Sequence, residues 1–207
     1  MEERLKKQLD FALEMDKQKG IGRQTYILNA LRKENDAEHG WHLAIMTLLL
    51  SEYSNEKIDV SRTVAMVIIH DVVEIDAGDT FAYDNEGNET KRERELKAAD
   101  RIFSILPKDQ EEYFRGLWEE YEEKKTPEAK FANAMDSLQP LMLNNAADGL
   151  TWREHNVEAK KVLNRAEKKI RAGSEELYKW AVNMIEENIK KGNLLQDVYV
   201  AFGNKTF

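Results

Sequence analysis

The run Met66-Val67-Ile68-Ile69-His70-Asp71-Val72-Val73-Glu74-Ile75-Asp76-Ala77-Gly78-Asp79 delivers a His-Asp pair out of apolar sequence, and three more carboxylates follow within eight positions. Adjacent residues on a helix point about 100° apart, so His70 and Asp71 converge only on something held between them. A metal ion is the usual object, because imidazole and carboxylate suit divalent transition metals and magnesium. Two donors do not make a site, and the chain must supply others. His39 lies upstream, in Glu34-Asn35-Asp36-Ala37-Glu38-His39-Gly40-Trp41-His42, and Asp136 lies downstream, in the mostly apolar run Asn133-Ala134-Met135-Asp136-Ser137-Leu138. The ordered pattern is His39, then His70-Asp71, then Asp136.

Through this set, with Glu34-Asn35…Glu38-His39 and His70-Asp71…Glu74…Gly78-Asp79 around it, the chain resembles the HD-domain metal-dependent phosphohydrolases, most closely their 5'-deoxynucleotidase branch. The resemblance runs from Arg23 to Asp136. It implies an all-α helical bundle, a divalent metal on His39, His70, Asp71 and Asp136, and a homodimer. It also implies that Glu74 is the general base or water-orienting group, that Asp79 assists in acid-base work, and that Arg23 contacts phosphate. The branch places a tryptophan directly after that arginine; Gln24 stands here, which leaves base and sugar preference open.

Two His and two Asp leave positions on an octahedral ion for water and a phosphate oxygen, so the set reads as catalytic rather than as a closed structural site. Such donors accept Mn, Co, Mg, Zn or Ni according to supply. Arg32 is a further candidate for the substrate phosphate, although a solvated charge explains it equally well. Trp41 offers a stacking surface for a base, against the commoner fate of a core tryptophan. His155 has no acidic company, and a structural role suits it; for His42 a structural and a functional role stand about even. The function expected is hydrolysis of (deoxy)ribonucleoside 5'-monophosphates. Its alternatives are another phosphoester, such as a nucleoside triphosphate or cyclic nucleotide, or a binding module that keeps a metal without catalysis. Glu74 and Asp79 weigh against the last, since a structural site needs no spare carboxylates.

The elements that must position these residues read as helices. Leu5, Leu9, Ala12 and Leu13 give an amphipathic helix over 2–17, stopped by Gly20-Ile21-Gly22. The Asn35-Asp36 pair suits a helix N-terminus, and the helix it opens over 37–53 is apolar on more than one face, as a central helix would be. Residues 60–69 form the next; their β-branched content also fits a buried strand, but no turn-punctuated strand partner appears. A polar loop is expected over 82–88, then helices over 89–106 and 109–125, a Pro127-initiated helix with a kink at Pro140, a loop over 144–149, and one or two helices over 157–188. The apolar-tipped tail 194–207 could dock on the body or a partner.

One HD-type domain over 1–207 is expected, with its motifs in 23–136 and C-terminal helices in 156–207. The absence of cysteine excludes disulfides and thiolate metal sites. No long apolar run and no apolar N-terminal region occur, which predicts a cytoplasmic protein with no membrane contact. With 31 Lys+Arg against 39 Asp+Glu the net charge is -8, which argues against a nucleic-acid polymer as partner. A small nucleotide would therefore need a local cationic patch.

Overall fold

The computed structural model describes residues 2–83 and 85–196. Helix α1 (Glu2–Met15) and a short 3-10 turn lead into a two-stranded antiparallel ribbon, β1 (Gly22–Tyr26) and β2 (Lys33–Asn35), paired Gly22 to Asn35 and Tyr26 to Lys33. Among the described residues the ribbon and an isolated parallel bridge between Glu158 and Leu195 are the departures from helix, and the ribbon lacks the period-two alternation that marks a strand in sequence. Everything else described is helix and connection.

Helix α2 (Asp36–Leu50) starts where Asn35 accepts from the Glu38 N–H while Glu38 accepts from the Asn35 N–H, a reciprocal cap. Its inner face buries Leu43 and Met46, but Trp41, Leu48 and Leu49 are well exposed, so the helix is less central than its sequence implies. Asp59 caps α3 (Val60–Ile69) through the Arg62 N–H. A turn then carries His70 and Asp71 into the single-turn α4 (Glu74–Ala77), which ends at Gly78 with φ +73°, a conformation glycine adopts without strain. Helix α5 (Asn85–Phe103) begins a turn earlier than the sequence predicts, and α6 (Lys108–Glu123) follows.

The helix that organises the interior is α7 (Pro127–Ala146). Thr126 caps it, Pro127 occupies its first turn where no N–H is needed, and it continues through Pro140. Phe131, Ala132, Ala134 and Met135 have no exposed surface. Then come α8 (Leu150–Glu154), α9 (Ala159–Arg165), a π-helical turn (Ala166–Ile170), α10 (Arg171–Gly173) and α11 (Glu175–Lys190). The 144–149 loop of the sequence reading is thus shorter, because α7 runs on to Ala146. The expected tail falls almost wholly outside the described residues.

Two apolar clusters result. Leu43, Met66 and Val67 pack with α7 and the C-terminal helices in one; Ile69, Val72 and Val73 pack with Phe11, Phe103 and Trp118 in the other. The segment 66–73 anchors in both, which fixes His70 and Asp71 at their junction. Val-to-Leu scale burial of about 1.5–3 kcal/mol per side chain makes that anchoring strong.

Gly173 marks the closest approach between α10 and α7: a Cβ there would lie 2.5 Å from the Lys130 carbonyl oxygen and 2.7 Å from Ala134 Cβ. G173A should cost about 1–3 kcal/mol through overpacking. G116A, in open space on α6, should gain about 0.5–1 kcal/mol. Chemical denaturation of both variants checks the pair, and equal stabilities would contradict this packing.

Candidate metal centre and active site

His70 sits where α3 gives out, its N–H still bonded to the Met66 carbonyl. Its Nδ1–H donates to the Val67 carbonyl at 2.7 Å, which turns Nε2 inward. His39, in the first turns of α2, has Nδ1 3.4 Å from Glu34 Oε1, and Gln139 donates to Glu34 Oε2 at 2.8 Å. The His70 ring is thereby oriented through the nitrogen that faces away from the site, the arrangement metal-binding histidines use; His39 Nδ1 has the Glu34 carboxylate near it without a hydrogen bond. Glu38, next to His39 in sequence, would be the obvious candidate for that role. Glu38 instead caps α2 and pairs with Arg32, because neighbouring helix residues point apart, whereas β2 carries Glu34 beneath the His39 ring.

The inward nitrogens face two carboxylates. Asp71 Oδ2 is 3.0 Å from His70 Nε2 and 3.9 Å from His39 Nε2; Asp136 Oδ1 is 3.4 Å from His39 Nε2 and 3.8 Å from His70 Nε2. Donors held about 2.1 Å from one centre lie about 3 Å apart when adjacent and about 4.2 Å when opposed; His39, His70 and Asp136 offer ligand atoms all within 4.8 Å of one another, a group that could hold an ion, with Asp71 beside it at 3.0 Å from His70 Nε2. His39 and His70 are buried, and among the described residues neither Nε2 has a hydrogen-bond partner. Two orphaned buried ring nitrogens aimed at two carboxylates are what a cation-binding site leaves behind. Asp36, Asp71 and Glu74 form an adjoining carboxylate group.

Arg23, on β1, answers those carboxylates. Its Nη1 donates to Asp71 at 2.7 Å and Asp36 at 3.1 Å and lies 3.9 Å from Glu74, while Nε is 3.6 Å from Glu34. Burial works against its charge, but these neighbours hold it firmly protonated. Burial also works against the Asp71 carboxylate, and His70 and Arg23 outweigh it, keeping Asp71 ionised. Burial and the Asp71 charge raise the proton affinity of Glu74 well above a usual carboxyl, and push Asp36 up to about 7. Burial likewise raises Asp79.

For His70, burial opposes the charge, yet Asp71 and Asp136 push it up to about 10 in the metal-free site. Below that pH the imidazole carries a proton that metal ligation must expel, so metal affinity should rise with pH. Calorimetric titration in buffers of different ionisation enthalpy should report proton release between about pH 6.5 and 8. Binding without proton release would remove His70 from the ligand set.

A cavity of about 400 Å³ opens over this cluster, lined by His70, Asp71, Glu74, Asp79, Asp136 and Arg23 on its floor. Lys91 of α5 lines it too, 3.8 Å from Glu74 and 3.3 Å from Glu95. Phe81, Tyr83 and Leu141 give it an apolar side, where Phe81 packs on His155. From the C-terminal helices come Arg165 and Lys169, 3.6 and 3.3 Å from Asp136 Oδ2. Burial, then Arg165, depress Lys169 to about 8.

Seven residues singled out by sequence therefore meet at one cavity: Arg23, His39, His70, Asp71, Glu74, Asp79 and Asp136, with His39 behind the lining. Arg32 and Trp41 do not. Arg32 is spent at the surface on Glu38, and Trp41, 67% exposed, lies on the outer face of α2 beside a separate shallow depression. Two positions along α2 rotate a side chain by about 200°, so nearness to His39 in sequence does not bring Trp41 to the site. Glu34, Lys91, Arg165 and Lys169 were missed. Glu34 stood inside the motif; the lysines and Arg165 looked like any solvated charge.

Fold and site together define a helical protein built around a buried His-Asp cluster at the floor of a cavity. The HD domain family model matches residues 15–178, and the chain belongs to the HD domain family. It is 31% identical over 114 residues to the human 5'-deoxynucleotidase HDDC2, covering 55% of this chain and 54% of that one. It is 30% identical over 112 residues to the 5'-deoxynucleotidase hdd1 of Schizosaccharomyces pombe, covering 52% and 55%. The chain thus aligns with about half the length of the curated relatives it matches. The crystal structure of a predicted metal-dependent phosphohydrolase from Magnetospirillum magnetotacticum MS-1 superposes with a TM-score of 0.89 at 46% identity, covering 93% of this chain and 96% of that one. Among the described residues no helix is long and apolar enough to cross a membrane.

Proposed function

We propose that the protein is a metal-dependent phosphohydrolase acting on 5'-nucleotides, with deoxyribonucleoside monophosphates as its preferred class. The observation that carries this reading is the pair of orphaned ring nitrogens, His39 Nε2 and His70 Nε2, facing Asp71 and Asp136 beside the buried, proton-avid Glu74. Relatives named 5'-deoxynucleotidase and a structural neighbour named as a metal-dependent phosphohydrolase support the substrate class and the reaction.

His39, His70, Asp71 and Asp136 would hold the ion. When bound, it supplies positive charge to the phosphoryl oxygens and acidifies water. Glu74 takes the proton of the attacking water, a role suited to a carboxylate whose proton affinity burial has raised. Arg23 neutralises the crowded acids and keeps Asp71 and Glu74 in place. Asp79, also raised by burial, gives a proton to the departing 5'-oxygen, which balances the one Glu74 receives. The Phe81, Tyr83 and Leu141 side of the cavity takes the nucleoside.

The remaining readings also belong to this proposal: one HD-type domain, a cytoplasmic location, and a homodimer that covers the exposed apolar face of α2. The test is phosphate release from matched panels of deoxy- and ribonucleoside 5'-monophosphates, triphosphates and cyclic nucleotides. Preferential turnover of the deoxy monophosphates supports the reading; turnover only of another phosphoester would discard its substrate.

A further inference from the structure

Among the described residues six cationic side chains line the cavity, and they are not equally engaged. Arg23 has Asp36, Asp71, Glu74 and Glu34 all within 4 Å of its nitrogens, so its wall is net negative. Lys91 is matched by Glu74 and Glu95, and Arg92 by Glu122. Arg165 and Lys169 differ. Among the described residues their one ion-pair partner is Asp136, whose Oδ2 both approach while its Oδ1 is turned to the histidines. Two positive charges thus share half of one carboxylate, and Lys124, at the left-handed C-terminus of α6, adds a third along the same wall. Orienting Asp136 needs one cation. The surplus lies against open cavity volume, a few ångströms from the candidate metal ligands.

Resting on the phosphohydrolase reading, we propose that Arg165 and Lys169, with Lys124 at the rim, form the oxyanion subsite that receives the substrate phosphoryl group and the phosphate it becomes. Arg23 serves instead as counter-ion to the acids. A guanidinium and an ammonium side by side supply several donors to non-bridging oxygens, and the site's residual positive charge is satisfied only by an anion.

The test is calorimetric binding of inorganic phosphate to manganese-supplemented protein, with manganese content measured in parallel. The R165Q/K169Q variant should weaken phosphate binding by about tenfold or more while retaining manganese, and K169R should restore most of it. Unchanged phosphate affinity in R165Q/K169Q overturns the proposal. So does loss of manganese with phosphate affinity falling only in step, which would show that the pair acts through Asp136. Should that variant fail to fold, the wild-type protein decides: phosphate should shield Lys169 from acetylation by acetic anhydride, read by peptide mass spectrometry, and absence of shielding overturns the subsite. Phosphate binding requires no turnover, so a failure of the nucleotidase reading shows separately, as wild-type protein that hydrolyses no phosphoester.

Discussion

Glu74→Gln should lower kcat by about a hundredfold to ten-thousandfold, with substrate affinity and fold retained. The side chain is buried on the first turn of α4, its carboxylate within 4 Å of Arg23 and Lys91. Glutamine keeps the volume and an acceptor oxygen, and loses only the capacity to take a proton. The substitution should not cost stability, because burial and the neighbouring Asp71 and Asp36 disfavour the Glu74 charge. A variant that unfolded would therefore assign Glu74 a structural role. One that turned over at the wild-type rate would remove it from the chemistry.

Asp136→Asn should act one step earlier, on the metal. Outer partners of metal ligands already contribute tenfold to a hundredfold in affinity, so neutralising a ligand should weaken binding by about a hundredfold or more. Activity should fall with occupancy and return in part at high metal concentration. The metal-free protein should also lose about 3 kcal/mol, because Asp136 stands against Arg165, Lys169 and the two histidines, and its removal leaves buried positive charge unanswered. Metal titration and denaturation of the same sample separate the two effects. Unaltered metal affinity would exclude Asp136 from the ligand set.

The two parts of the site differ in how openly the sequence carries them. His39, His70, Asp71 and Asp136 come from three separate segments; His70, Asp71 and Asp136 stand out locally as polar residues in or beside apolar runs, His39 sits in the polar stretch 34–42, and the order of the four is a pattern. The α2 start was equally plain, since Asn35 and Glu38 lie at cap spacing. What local spacing could not carry was direction. Trp41 is two positions from His39 and points to the far face; Glu34 is five away and lies under its ring because an unforeseen ribbon turns the chain back. Arg165 and Lys169 reach Asp136 only through the packing of α9 and its π turn on α7. Nothing in a charged, amphipathic helix distinguishes those two from their solvated neighbours. The exposed apolar face of α2 misled for the opposite reason: hydrophobic composition does not require that the same chain covers a surface.

The most direct test of the central claim is phosphate release from deoxyadenosine 5'-monophosphate by chelator-stripped protein, before and after stoichiometric return of manganese, cobalt, magnesium, zinc or nickel. No release is expected without metal, recovery is expected with at least one of these ions at about one per chain, and none in Asp136→Asn at the same metal level. Equal release with and without metal, from protein shown to contain none, would contradict the central claim.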